Sequence, residues 1–168
     1  MPEPPRTVTR LSPPEPARAV RVCLVVSAYN EWITSRLRDG AVEAFERRAP
    51  RGSKLVEVGV PGAFELPAAS AAFAERRARS TDAAVVAIGC VIRGETTHDQ
   101  HINTSVATAL SAITVRTGVP VAFGVITAND AEQAEARAGG AVGNKGAEAM
   151  EAALDTIGAL RAIDARER

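Results

Sequence analysis

The stretch Gly89-Cys90-Val91-Ile92-Arg93-Gly94-Glu95-Thr96-Thr97-His98 concentrates the residues best suited to chemistry in this 168-residue chain. An apolar run ends at Ile92, and Gly94 lets the backbone approach a ligand before polar residues open a helix. Free amides at a helix N-terminus, with the Thr96 and Thr97 hydroxyls beside them, suit an anion such as phosphate. His98 falls within one turn of that anion, where an imidazole can move protons near neutral pH. The plainer alternative is a threonine N-cap followed by a solvated first-turn histidine. His101 shares a helical face with His98, but no third ligand accompanies the pair, so no metal site is expected.

Other candidates follow other apolar runs. Tyr29 is the sole tyrosine, and its ring either stacks on a flat ligand or packs as a rim aromatic. Pro61-Gly62 makes a tight turn ahead of Ala63, Phe64 and Glu65. Glu65 either complements a helix dipole or joins Phe64 and the turn amides around a heterocycle. Glycines surround Lys145, yet the Walker spacing is absent and the segment follows a helix, which excludes a nucleoside-triphosphate loop. Arg137 and Lys145 are either cationic partners for a single phosphate or surface charges.

These residues need elements to position them. Val22–Val26, Lys54–Val60, Ala83–Ile92 and Val119–Ile126 read as strands. Helical spacing covers Glu31–Ala49, Glu65–Ala78, the stretch from the Gly89–His98 run through Val115, Asp130–Ala138 and Asn144–Ile163. Asp130 and Gln133 have the spacing of a capping box. Such alternation predicts an α/β fold with a parallel sheet covered on both faces. Ligands then bind beyond the carboxyl ends of the strands, where the candidates above cluster.

Composition narrows the classes. Hydrophobic residues make up 46% and charged residues 24%, enough for a proper core, whereas aromatics are only 4%. Twenty basic residues balance twenty acidic ones, which argues against a nucleic-acid or membrane-surface footprint. Cys23 and Cys90 both sit in apolar runs and read as buried free thiols. No run approaches the roughly 20 apolar residues of a membrane span. Residues 1–19 are broken by Pro2, Pro4, Pro5, Pro13, Pro14 and Pro16, so they are expected to be extended or disordered, without a signal-peptide core. A single domain over residues 20–168 and a cytoplasmic location are the resulting expectations.

Taken together, the segments resemble the lumazine synthase family along nearly the whole chain after residue 20. The matching pieces are Ala28-Tyr29-Asn30, Val60–Pro67, Gly89–His98, Phe123–Thr127, Glu132-Gln133-Ala134, Arg137-Ala138-Gly139 and Gly143-Asn144-Lys145-Gly146. The fold this implies is a three-layer α/β/α sandwich, its four-stranded parallel sheet in flavodoxin-like order. The implied reaction condenses 5-amino-6-(D-ribitylamino)uracil with 3,4-dihydroxy-2-butanone 4-phosphate to give 6,7-dimethyl-8-ribityllumazine, phosphate and water, without a cofactor. By position, the resemblance implies that Tyr29 stacks on the pyrimidine, that Ala63, Phe64, Glu65, Cys90, Val91 and Ile92 line its pocket, and that Phe123 closes it. It also implies that Glu95, Thr96 and Arg137 hold the phosphate and that His98 is the acid/base group. Lys145 and Glu148 match positions near the phosphate end.

Two departures stand out: Tyr29 replaces a phenylalanine or tryptophan, and Asp99-Gln100-His101 displaces the acid that orients the histidine. The resemblance further implies a homopentamer with sites between subunits, and riboflavin synthase as a partner. The short Gly139–Gly143 link resembles that of members closing a 60-subunit shell, the assembly favoured here, although the leader prolines would suit free pentamers. The rival readings are an archaeal-type riboflavin synthase and a non-catalytic lumazine or flavin carrier. The phosphate set of Thr96, Arg137 and Lys145 argues against both.

Overall fold

Three apolar runs and the mixed segment Lys54–Val60 become four parallel strands because each carries β-branched and small side chains suited to a sheet. The computed structural model describes residues 9–11 and 16–166. Its strands are β1 (Arg21–Ser27), β2 (Lys54–Val60), β3 (Ala83–Ile92) and β4 (Val121–Ala128), in the spatial order β2-β1-β3-β4. The helices are α1 (Glu31–Arg48), α2 (Leu66–Glu75), α3 (His98–Thr117), α4 (Ala131–Arg137) and α5 (Lys145–Asp164). This is the three-layer α/β/α sandwich in flavodoxin-like order.

Alternation along the strands divides the core. Val22, Leu24, Val86 and Ile88 face Ile33 and Leu37 of α1 and Met150, Leu154 and Ile157 of α5. Cys23, Val25, Val85 and Ala87 face Leu66 of α2 and Val106, Leu110 and Ile113 of α3. β3 is buried at every residue but Ile92, as a central strand should be. β2 departs from the expectation of cover on both faces. It is an edge strand, and α2 is too short to cover it, so Val56 and Val58 stay exposed.

Local chemistry explains the shifted boundaries. β4 starts at Val121, two residues later than its apolar run, because Pro120 has no N–H to give a ladder. The helix expected from Glu65 begins as a 3-10 turn over Ala63–Glu65 and ends at Glu75. α3 stops at Gly118, which adopts the left-handed φ of 73° that glycine tolerates. At α4, Asp130 accepts a bond from the Gln133 amide at 2.8 Å, while the Gln133 side chain accepts from the Asn129 amide at 3.1 Å. The capping box is thus present but closes on the residue before the cap.

The sequence reading missed a small antiparallel pair, β5 (Ala138–Gly140) with β6 (Gly143–Asn144), because two such short strands carry no periodic signal. Asn144 caps α5 by accepting from the Gly146 and Ala147 amides and donates to the Arg36 carbonyl at 2.8 Å. A Cβ on Gly146 would overlap the Leu37 carbonyl, so only glycine lets α5 lie this close to α1. Arg161 pairs with Asp82 at 2.6 Å and donates to the Thr81 and Arg18 carbonyls, fixing the approach to β1. The expectation for residues 1–19 falls largely outside the described residues, of which Pro16 is buried. Among the described residues, no helix is long and apolar enough to cross a membrane.

Candidate active site

The sheet itself opens a cleft. The β1–β3 ladder ends at Val26–Ile88, while β3 runs on beside β4 to Ile92. Beyond that last pair the chain leaves β1 for α1, and a gap forms at the carboxyl ends between β1 and β3. In open parallel sheets this switch point is where ligands bind.

Each wall of the gap has a structural cause. On the β2 side the Ala28 amide donates to the Val60 carbonyl at 2.8 Å, and the Tyr29 amide donates to the Pro61 carbonyl at 3.1 Å. These bonds set Tyr29 beside the Pro61-Gly62 turn, with its ring 71% exposed at the mouth. The 3-10 turn brings Ala63, Phe64 and Glu65 to the same mouth, with Phe64 also exposed. On the β3 side Cys90, Val91 and Ile92 form the wall, and the Arg93 amide donates to the Ala128 carbonyl at 2.8 Å as the chain turns away.

The floor and rim meet in one cleft of about 470 Å3. Its lining unites Tyr29, Ala63, Phe64, Glu65, Cys90, Val91, Ile92, Thr96 and His98 among the residues singled out from the sequence. Gly62, Gly94, Asp99 and Ile102 complete it. Burial pushes the Cys90 thiol up to about 11, so it stays protonated at neutral pH and offers no thiolate to an electrophile. Cys23, deep in the core, is raised by burial too.

The start of α3 differs from a simple threonine cap. Thr97 occupies the cap position, but its hydroxyl caps nothing; the Thr96 hydroxyl accepts a long 3.4 Å bond from the His98 amide. Both threonines are exposed, and their hydroxyls keep acceptor and donor capacity to spare. His98 is exposed at the cleft edge, and its imidazole makes no hydrogen bond among the described residues. Asp99 lines the cleft and also a polar cavity of about 300 Å3 with Arg93, Asn103, Thr127 and Gln133. Among the described residues, no three His, Cys, Asp or Glu side chains gather as a metal site would require.

Five of the residues that the resemblance assigns to the site do not line this cleft. The Glu95 side chain is outside its lining. Phe123 lies on β4, the far edge strand, paired with Ala87 and 46% exposed. Arg137 ends α4 and donates to the Gln133 carbonyl at 2.9 Å. Lys145 and Glu148 pair with each other at 2.6 Å on the first turn of α5. Within one chain Phe123, Arg137, Lys145 and Glu148 lie outside the cleft lining, whereas Glu95 adjoins it through Gly94 and Thr96.

Asn30 carries a role that sequence reasoning missed. It sits at the start of α1 in the left-handed region (φ 59°, ψ 45°), a conformation asparagine tolerates better than most residues. Its side-chain amide donates to the Cys90 carbonyl at 3.0 Å, across the gap. The available signal was an asparagine between a strand and a helix, which ordinarily suggests only a cap.

A parallel sheet in this order, with an open cleft at its switch point and a histidine at a helix start beside it, defines a flavodoxin-like α/β protein with a candidate site at the carboxyl ends of its strands. Comparison with known proteins narrows the class. The sequence profile of the 6,7-dimethyl-8-ribityllumazine synthase family matches residues 19–161. Two proteins named 6,7-dimethyl-8-ribityllumazine synthase, from two strains of Thermus thermophilus, are each 42% identical over 154 residues. Those alignments cover 91% of this chain and 96% of each relative. The chain belongs to the 6,7-dimethyl-8-ribityllumazine synthase family.

Proposed function

We propose that this protein is a transferase joining 5-amino-6-(D-ribitylamino)uracil to 3,4-dihydroxy-2-butanone 4-phosphate, forming 6,7-dimethyl-8-ribityllumazine in riboflavin biosynthesis. The observation that carries this reading is the convergence of Tyr29, residues 63–65, Cys90–Ile92, Thr96 and His98 on one cleft. A flat heterocycle fits between the Tyr29 ring and the β3 wall, whose backbone supplies donors and acceptors. Thr96 and the amides from Glu95 onward hold the phosphate, so Glu95 acts through its backbone. His98 beside them relays the proton as the aromatic amine condenses with the ketone and loses one water, phosphate departs, and ring closure expels a second water.

That chemistry needs two reactants held together, charge support for the leaving phosphate and one proton relay. Orientation alone is worth roughly 7–11 kcal/mol, and a positioned acid/base about 10²–10⁴-fold. No step in this scheme calls for a cofactor.

Phe123 and Arg137 enter from a second copy of the chain. Tyr29, Phe64 and Phe123 are large rings left exposed, an arrangement that favours cover by a neighbour. In the proposed homopentamer each cleft receives Phe123 over the pyrimidine and Arg137 on the phosphate from the adjacent subunit, with Lys145 and Glu148 near the phosphate end. The proposal extends to a cytoplasmic enzyme, to closure of pentamers into a shell and to riboflavin synthase as the partner that consumes the product.

The test incubates purified protein with both substrates and follows lumazine absorbance together with phosphate release. Both signals rise together if the reading is right. Lumazine bound without turnover would instead identify a carrier.

A further inference from the structure

Asn30 is placed where a helix cap belongs, yet its side chain is not spent on its own helix. The Asn30 carbonyl takes the Ile33 and Thr34 amides at 2.9 and 3.0 Å, so the first turn of α1 is secured by the backbone. The side-chain amide instead crosses 60 residues of sequence to the Cys90 carbonyl at 3.0 Å. That carbonyl lies two residues past Ile88, where β1 no longer pairs with β3. The amide thus stands in for the strand that has departed.

The two walls of the cleft are tied very unequally. Tyr29 is anchored toward β2 by the backbone bonds of Ala28 and Tyr29 to Val60 and Pro61. Toward β3 the corresponding tie is the Asn30 amide. Without it the Tyr29 ring and the Cys90–Ile92 wall are free to drift apart, and a carbonyl at the base of the cleft loses its donor. A gap matched to a flat ring is sensitive to such drift.

We propose that Asn30 is a positioning residue that sets the spacing between the Tyr29 ring and the Cys90–Ile92 backbone, and thereby the affinity for the pyrimidine substrate. The proposal rests on the lumazine-forming reading above. Asn30 acts through Tyr29 and Cys90. It leaves the butanone phosphate end, at Thr96 and His98, undisturbed.

Three variants separate this role from a general one in folding. Asn30→Gly keeps the left-handed backbone and removes the amide. Asn30→Asp keeps the shape but turns an oxygen toward the Cys90 carbonyl. Asn30→His tolerates the same backbone and restores an N–H at the equivalent atom. Lumazine affinity is read by fluorescence titration, and the two KM values by steady-state kinetics.

Loss of one hydrogen bond of this kind predicts that Asn30→Gly weakens lumazine binding and raises KM for ribitylaminouracil by about fivefold. Asn30→Asp is worse, Asn30→His recovers most of the loss, and KM for the butanone phosphate stays within about twofold throughout. Unchanged lumazine affinity in Asn30→Gly would overturn the proposal. So would a parallel rise of both KM values in all three variants together with a lowered melting temperature. If the unsubstituted protein itself fails to bind lumazine, the functional reading falls and takes this one with it. If Asn30→Asp does not fold, the glycine and histidine variants still decide.

Discussion

His98 stands exposed at the mouth of the cleft beside Thr96, while Arg137 lies outside the cleft lining at the end of α4. Their proposed duties differ, and so do the expected failures. His98→Ala lowers kcat by about 10²-fold, the mild end for a positioned acid/base, because orientation of the two reactants is retained. Arg137→Ala raises KM for the butanone phosphate with a smaller effect on the pyrimidine substrate. Steady-state kinetics with each substrate varied in turn distinguishes the two; an unchanged phosphate-substrate KM in Arg137→Ala would remove that residue from the site. At this scale the sequence told much about residue types and little about distance. Tyr29, Glu65 and His98 were legible as neighbours because each follows a strand end, and Cys90 because it lies two residues before one. Asn30 was not, since its partner is 60 residues away and asparagine at that place already has a local explanation.

The elements hold the site through a few exacting contacts. Asn144 caps α5 and reaches the Arg36 carbonyl, and Gly146 lets the two helices meet there. Asn144→Ala removes the cap and the cross-helix bond together, so a loss of about 1–2 kcal/mol is expected, read as a lower melting temperature. An unaltered melting temperature would mean that water replaces both bonds at no cost. The continuous apolar runs of β1 and β3 and the helical stripes of α1, α3 and α5 were readable because burial imposes a period on the sequence. The β5–β6 pair was not, since backbone turns set it, including left-handed Gly139 and Gly143. The late start of β4 follows from Pro120, a local signal that the apolar pattern overrode. The exposed face of β2 depends on how far α2 extends, which only the folded chain determines.

Across the whole molecule, the cleft opens at the β1–β3 switch point and Phe123 lies on the β4 edge, so one chain presents the residues of the proposed site in two separate places. In the proposed assembly lumazine forms between copies, with the cleft from one and Phe123 and Arg137 from the next. The gathering of the cleft was foreseeable from strand ends; the separation of Phe123 and Arg137 from it carries no local signal, and only the family resemblance, with its sites between subunits, implied it. The most direct test co-expresses His98→Ala chains with Arg137→Ala chains and assays the mixed assembly for lumazine synthesis. If sites span two copies, random mixing leaves about one quarter of them with both residues intact, and activity rises well above the mean of the two parent assemblies. Activity equal to that mean would place His98 and Arg137 in a site built from a single chain and contradict the account.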